Sequence, residues 1–77
     1  MFGWKKKSKF IVWADYLFEK KHKEFTFGFY TETEAENALK QLSETNKIVT
    51  ADKYFSIEIE GTDAGKLISR DIWIERR

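Results

Sequence analysis

The spacing of apolar residues changes period at Thr31, and that change limits the architecture of this chain more than any other feature. From Lys9 to Glu19 the even positions are Phe10, Val12, Ala14, Tyr16 and Phe18, while the odd positions are Lys9, Ile11, Trp13, Asp15, Leu17 and Glu19. A period of two with one wholly apolar face predicts a half-buried strand. Lys20 to Lys23 reads as a polar turn, after which Phe25, Phe27 and Phe29 again fall on one face. Two alternating runs joined by a short polar segment predict a β-hairpin. Gly28, inside the second run, marks a bulge or a close approach of another backbone.

Beyond Thr31 the period becomes helical. Ala35, Ala38, Leu39 and Leu42 stand at i, i+3, i+4 and i+7, which draws one apolar stripe along a helix. Thr31-x-x-Glu34 and Thr33-x-x-Glu36 both fit the capping box, in which a threonine and a glutamate reciprocally satisfy free backbone N–H groups. Glu32, Glu34 and Glu36 complement the positive end of the helix dipole. Asn46 suits the left-handed residue that closes a helix. Ile48 to Thr50 carries no clear period. Lys53 to Glu60 alternates again, with Phe55, Ile57 and Ile59 on one face, and Gly61 to Gly65 is rich in turn formers. Lys66 to Glu75 forms the last alternating run, with Ile68, Ile72 and Ile74 on one face, interrupted by Arg70, and Leu67, Asp71 and Trp73 on the other.

The order β-β-α-β-β predicts an α+β fold: a single ββαββ domain over 9–77 with a four-stranded, mostly antiparallel sheet and one helix packed on one face. Residues 1–8 precede it as a basic and aromatic segment. A helix of about 13 residues is roughly 20 Å long, enough to return the chain along the sheet. The third strand is therefore expected parallel to the second, after a right-handed crossover. The expected core is Phe10, Val12, Phe18, Phe25, Phe27, Phe29, Phe55, Ile57, Ile59, Ile72 and Ile74, with Ala35, Leu39 and Leu42 from the helix.

Composition removes several kinds of chemistry. The chain has 77 residues and no cysteine, which limits it to one domain and excludes disulfides, thiolate metal sites and a cysteine nucleophile. Gly61-Thr62-Asp63-Ala64-Gly65-Lys66 falls short of a phosphate loop: the glycines are too close, Leu67 stands where a hydroxyl should meet magnesium, and no helix follows. The single histidine, His22, lies among lysines and reads as a solvated turn residue. Glu58 and Glu60 read as an exposed strand face. No catalytic residue, cofactor or metal is assigned, and an enzyme is not expected. No apolar run approaches the roughly 20 residues of a membrane helix and no signal-peptide pattern is present, so a membrane partner is not expected and a cytoplasmic location is.

The net charge of +1 conceals segregation. Residues 1–23 hold seven lysines against two acids, and residues 24–60 hold eight acids against three lysines. One helix covers one face of a sheet, and the face it leaves carries Ile11, Trp13, Leu17, Tyr30, Tyr54, Leu67 and Trp73 by the same alternation. Exposed Trp and Tyr of this kind mark interfaces. The sequence thus points to a small non-catalytic binding protein, of regulator or inhibitor type, that holds a protein partner through Trp13, Leu17, Tyr30, Tyr54 and Trp73. Two alternatives use the same aromatics. One is single-stranded nucleic-acid binding, in which bases stack on the sheet and Lys5, Lys6, Lys7 and Lys9 meet phosphate or another anionic surface. The other is structural: a homodimer with the aromatic face as its interface, or coverage of that face by the N-terminal segment through Phe2 and Trp4.

Overall fold

The computed structural model describes residues 8–77. Strand β1 (Phe10–Phe18) and strand β2 (His22–Phe29) form the expected hairpin, in register from Phe10↔Phe29 to Leu17↔His22. The turn closes through Phe18 N–H to the Lys21 carbonyl at 2.8 Å. This tight closure ends the turn before His22, so His22 belongs to β2 and not to the turn the sequence suggested. Gly28 marks a close approach: a Cβ there would collide with the Ser8 side chain.

Helix α1 (Glu32–Thr45) begins at the first of the two candidate capping boxes. Thr31 Oγ1 accepts from Glu34 N–H at 3.2 Å, and the Thr31 N–H donates to Glu34 Oε1 at 3.2 Å. A cap of this type stabilises a helix by about 1 kcal/mol. The helix ends at Asn46, in the left-handed conformation at φ 57°, with its N–H bonded to the Leu42 carbonyl. Ala35, Ala38 and Leu42 are buried, as the helical stripe requires.

The sheet departs from the expected one. Strand β5 (Leu67–Arg76) pairs antiparallel with β1, giving a three-stranded sheet in the order β2-β1-β5. Strands β3 (Lys47–Val49) and β4 (Tyr54–Ser56) pair only with each other, as a separate two-stranded hairpin. Among the described residues no four-stranded sheet forms, and no strand crosses over to lie parallel beside β2. The reason lies in what alternation measures. Along 53–60, Phe55, Ile57 and Ile59 are half-buried while Tyr54, Ser56, Glu58 and Glu60 are exposed. An extended chain laid over a core alternates in this way whether or not its backbone pairs with a neighbour. Only Tyr54–Ser56 is paired.

Helix α1 and the β3–β4 hairpin together cover one face of the three-stranded sheet. Val12, Ala14, Tyr16 and Phe18 of β1 are buried beneath them with Phe29, Leu42 and Ile48. Phe55 packs on both Phe25 and Phe27, with ring centroids 4.8 Å apart in each case. Arg70, which breaks the apolar face of β5 in the sequence, has a purpose here. Its guanidinium donates to the Leu42 carbonyl (3.2 Å), the Ser43 carbonyl (3.3 Å) and Asn46 Oδ1 (2.6 Å). The last turn of α1 contains no basic residue, so a cation from β5 satisfies its free carbonyls and the negative end of its dipole. Tyr16 Oη donates to the same Asn46 Oδ1 at 3.1 Å. Burial pushes the Tyr16 phenol above its ordinary pKa, and the adjacent Arg70 charge opposes that shift.

One register shift corrects the reading of β5. Leu17 lies opposite Ser69, but Phe18 lies opposite Leu67, so Ile68 has no opposite residue. This bulge turns Leu67 inward against the core and leaves Ile68 62% exposed, the reverse of the strict alternation.

Candidate functional site

The opposite face of the three-stranded sheet is covered by neither α1 nor the β3–β4 hairpin. Pleating sends Ile11, Trp13, Asp15 and Leu17 of β1 to this face. Register then fixes four cross-strand rows, each written from β2 through β1 to β5. They are Gly28–Ile11–Glu75, Thr26–Trp13–Trp73, Glu24–Asp15–Asp71 and His22–Leu17–Ser69.

The second row carries the largest apolar surface. The Trp13 and Trp73 rings are parallel within 2°, with centroids 5.8 Å apart. Parallel rings at that separation are offset, the arrangement aromatic quadrupoles favour, worth about 0.5–1.5 kcal/mol beyond area burial. Trp13 Nε1–H donates to Glu75 Oε1 at 2.8 Å, which fixes the ring pair from the first row. Arg77 Nε in turn holds Glu75 Oε2 at 3.2 Å. Trp73 remains 42% exposed and Leu17 41%, while Trp13 is half-buried, so the stack is anchored along one edge and exposed at Trp73.

The third row is acidic throughout. Glu24, Asp15 and Asp71 lie side by side across three strands, and like charges directly opposite one another are destabilising. His22, diagonal to Asp15, hydrogen-bonds its carboxylate through Nε2. Among the described residues no lysine or arginine forms an ion pair with any of the three carboxylates. The nearby Lys23 points to the other side of the sheet, with its ammonium 5.7 Å from the centre of the Phe18 ring.

Of the five residues expected to bind a partner, Trp13 and Trp73 stack on this face, and Leu17 shares it four residues along β1, beyond the acidic row. Tyr30 lies as far away on the other side. It follows β2 directly, opposite Lys9 if the register is continued, four residues and about 13 Å along the strands from the tryptophan row. Tyr54 is corrected more firmly. It is 74% exposed, but on β4 in the separate hairpin, where it pairs with Val49. Phe55 faces the sheet, so Tyr54 points away from it, and the two tryptophans and Tyr54 share no surface. Leu67 leaves the face through the bulge, and Ile11 is buried within it at 9% exposure. Lys9 directly precedes β1, its N–H bonded to the Phe29 carbonyl at 3.1 Å. Lys5, Lys6 and Lys7, with Phe2 and Trp4, lie outside the described residues.

Sequence reasoning missed the acidic row and the position of His22. A signal for the row was present: Trp13-Ala14-Asp15 and Asp71-Ile72-Trp73 are mirror images, and antiparallel pairing places Trp opposite Trp and Asp opposite Asp. Two shallow clefts beside the β1–β2 turn, of about 610 and 470 Å³, are lined by Gly61, Thr62 and their neighbours. Gly61 and Gly65 supply the positive φ angles of that loop, at 65° and 85°. Lys20 N–H donates to the Ala64 carbonyl at 2.8 Å and pins the loop to the β1–β2 turn. No helix among the described residues is long and apolar enough to cross a membrane. Comparison with known proteins finds no matching family model, curated protein or solved structure.

Proposed function

We propose that this chain is a small binding protein, of regulator or inhibitor type, that engages a protein partner through the outer face of its three-stranded sheet. The observation that carries the reading is the Trp13–Trp73 stack, held at one edge by Glu75 and exposed at Trp73. Trp is the residue most often found at the energetic centre of an interface, where a rigid amphipathic ring covers much area for little entropy. Leu17 adds a separate exposed apolar side chain beyond the acidic row. The carboxylates of Asp15, Glu24 and Asp71 form a rim that favours an apolar partner surface bordered by lysine or arginine. The same rim weighs against the nucleic-acid reading, because phosphates over the ring pair would approach three like charges.

The test uses the full chain bearing a photo-crosslinking residue at position 69, beside Leu17, with and without Trp73→Ala. A partner crosslinked by the parent chain and lost with Trp73→Ala, at unchanged far-ultraviolet circular dichroism, supports the reading. Equal crosslinking by both removes it. Sedimentation of the free chain separates a foreign partner from a second copy: a concentration-dependent dimer abolished by Trp73→Ala makes the face a homodimer interface instead.

A further inference from the structure

We infer that Asp15, His22 and Glu24 form a surface binding site for a first-row divalent transition-metal ion of the Zn²⁺ type. The three residues come from two strands. His22 and Glu24 stand at i and i+2 on β2 and therefore project from the same face. Asp15 on β1 is directly opposite Glu24, and His22 is diagonal to it. One ligand atom from each lies within 4.8 Å of the other two. An ion bound at about 2.0–2.2 Å requires tetrahedral ligand atoms about 3.4 Å apart, so side-chain rotation on a fixed pair of strands closes the set.

Two further features separate this set from an ordinary acidic surface. An imidazole nitrogen is already in hydrogen-bond contact with one carboxylate, and it belongs to the only histidine of the chain. The carboxylates also sit in a row that Asp71 extends onto β5, and none of the three has a lysine or arginine partner among the described residues. Bringing a cation to that row relieves a repulsion that the register itself imposes. Imidazole with two carboxylates suits Zn²⁺, Ni²⁺ or Co²⁺. Mg²⁺ prefers an octahedron of oxygens and keeps its water. Three protein ligands leave coordination positions directed away from the sheet, open to water or to a donor from another molecule.

The inference stands apart from the partner reading, since metal binding needs no partner and neither tryptophan. The experiment is titration of the full, untagged chain with Zn²⁺ in competition with a chromophoric chelator, followed by Co²⁺ titration monitored by nuclear magnetic resonance. One equivalent of Zn²⁺ is expected, with affinity lowered about tenfold or more by His22→Gln and by Asp15→Asn. Both variants are checked for native circular dichroism, and Asp52→Asn, a remote exposed acid, serves as the control. Co²⁺ is expected to broaden His22, Asp15 and Glu24 first, and a hundredfold excess of Mg²⁺ is expected not to displace Zn²⁺. The inference is overturned if His22→Gln binds as tightly as the parent, if broadening spreads evenly over the acids of the helix, or if no saturable binding occurs. Should His22→Gln unfold, loss in Asp15→Asn together with the Co²⁺ map on the parent chain decides the matter.

Discussion

The two faces of the three-stranded sheet are made by alternate residues of the same strands, yet they follow different rules. On the inner face every polar group has a task. Arg70 caps the helix, Asn46 receives both Arg70 and Tyr16, and among the described residues no buried side-chain nitrogen or oxygen lacks a partner. On the outer face an exposed Trp73 stacks on a half-buried Trp13 and three carboxylates stand side by side. The inner arrangement lowers the energy of the fold. On the outer face the ring stack favours the fold while the aligned carboxylates oppose it.

That contrast is open to direct attack. The largest effect is expected on the covered side. Leu42→Ala removes a fully buried side chain from beneath the sheet, and a loss of about 2–5 kcal/mol is expected in urea denaturation. A loss below about 1 kcal/mol would mean that the helix is not seated on the sheet as described. Next comes Arg70→Met, which keeps the side-chain length but removes the cation from three acceptors at the helix C-terminus. Chemical denaturation should show a loss of about 1–3 kcal/mol, and a neutral result would reduce Arg70 to a surface residue. The smallest effect is expected on the open face, with the opposite sign. Asp71→Asn removes one of three aligned negative charges and should raise stability by about 0.2–1 kcal/mol. The gain should shrink as salt rises, because the group is exposed. Destabilisation at low salt would show that Asp71 has a favourable partner and would erase the difference between the faces.

Much of the covered side was legible in the chain. The β1–β2 hairpin, the helix with its Thr31 cap and the Asn46 terminus all follow from local rules of period and capping, which involve residues within a few positions of one another. The buried Ala35, Ala38 and Leu42 follow from the same rules. The sheet was legible only in part. Residues 53–60 alternate as a long strand does, and Phe55, Ile57 and Ile59 do meet the core, but pairing is a relation to another segment and alternation cannot report it. Leu67 and Ile68 exchange faces for a related reason, since a bulge adds one residue and reverses the parity after it.

The candidate site divides along the same line. Trp13, Leu17 and Trp73 share one face because parity and adjacency of β1 and β5 agree. Tyr54 is lost from the face because its strand pairs elsewhere. Asp15, His22, Glu24 and Asp71 carry no motif along the chain, since their neighbours in space come from three strands.

The sequence by itself determined the order of its first elements, the caps of its helix and which alternate residues avoid water, because these depend on backbone geometry repeating every two or 3.6 residues. Only the tertiary structure decided which strands pair, where a register slips and which polar side chains converge. Those outcomes depend on contacts between residues as far apart as Trp13 and Trp73, and no local period encodes them.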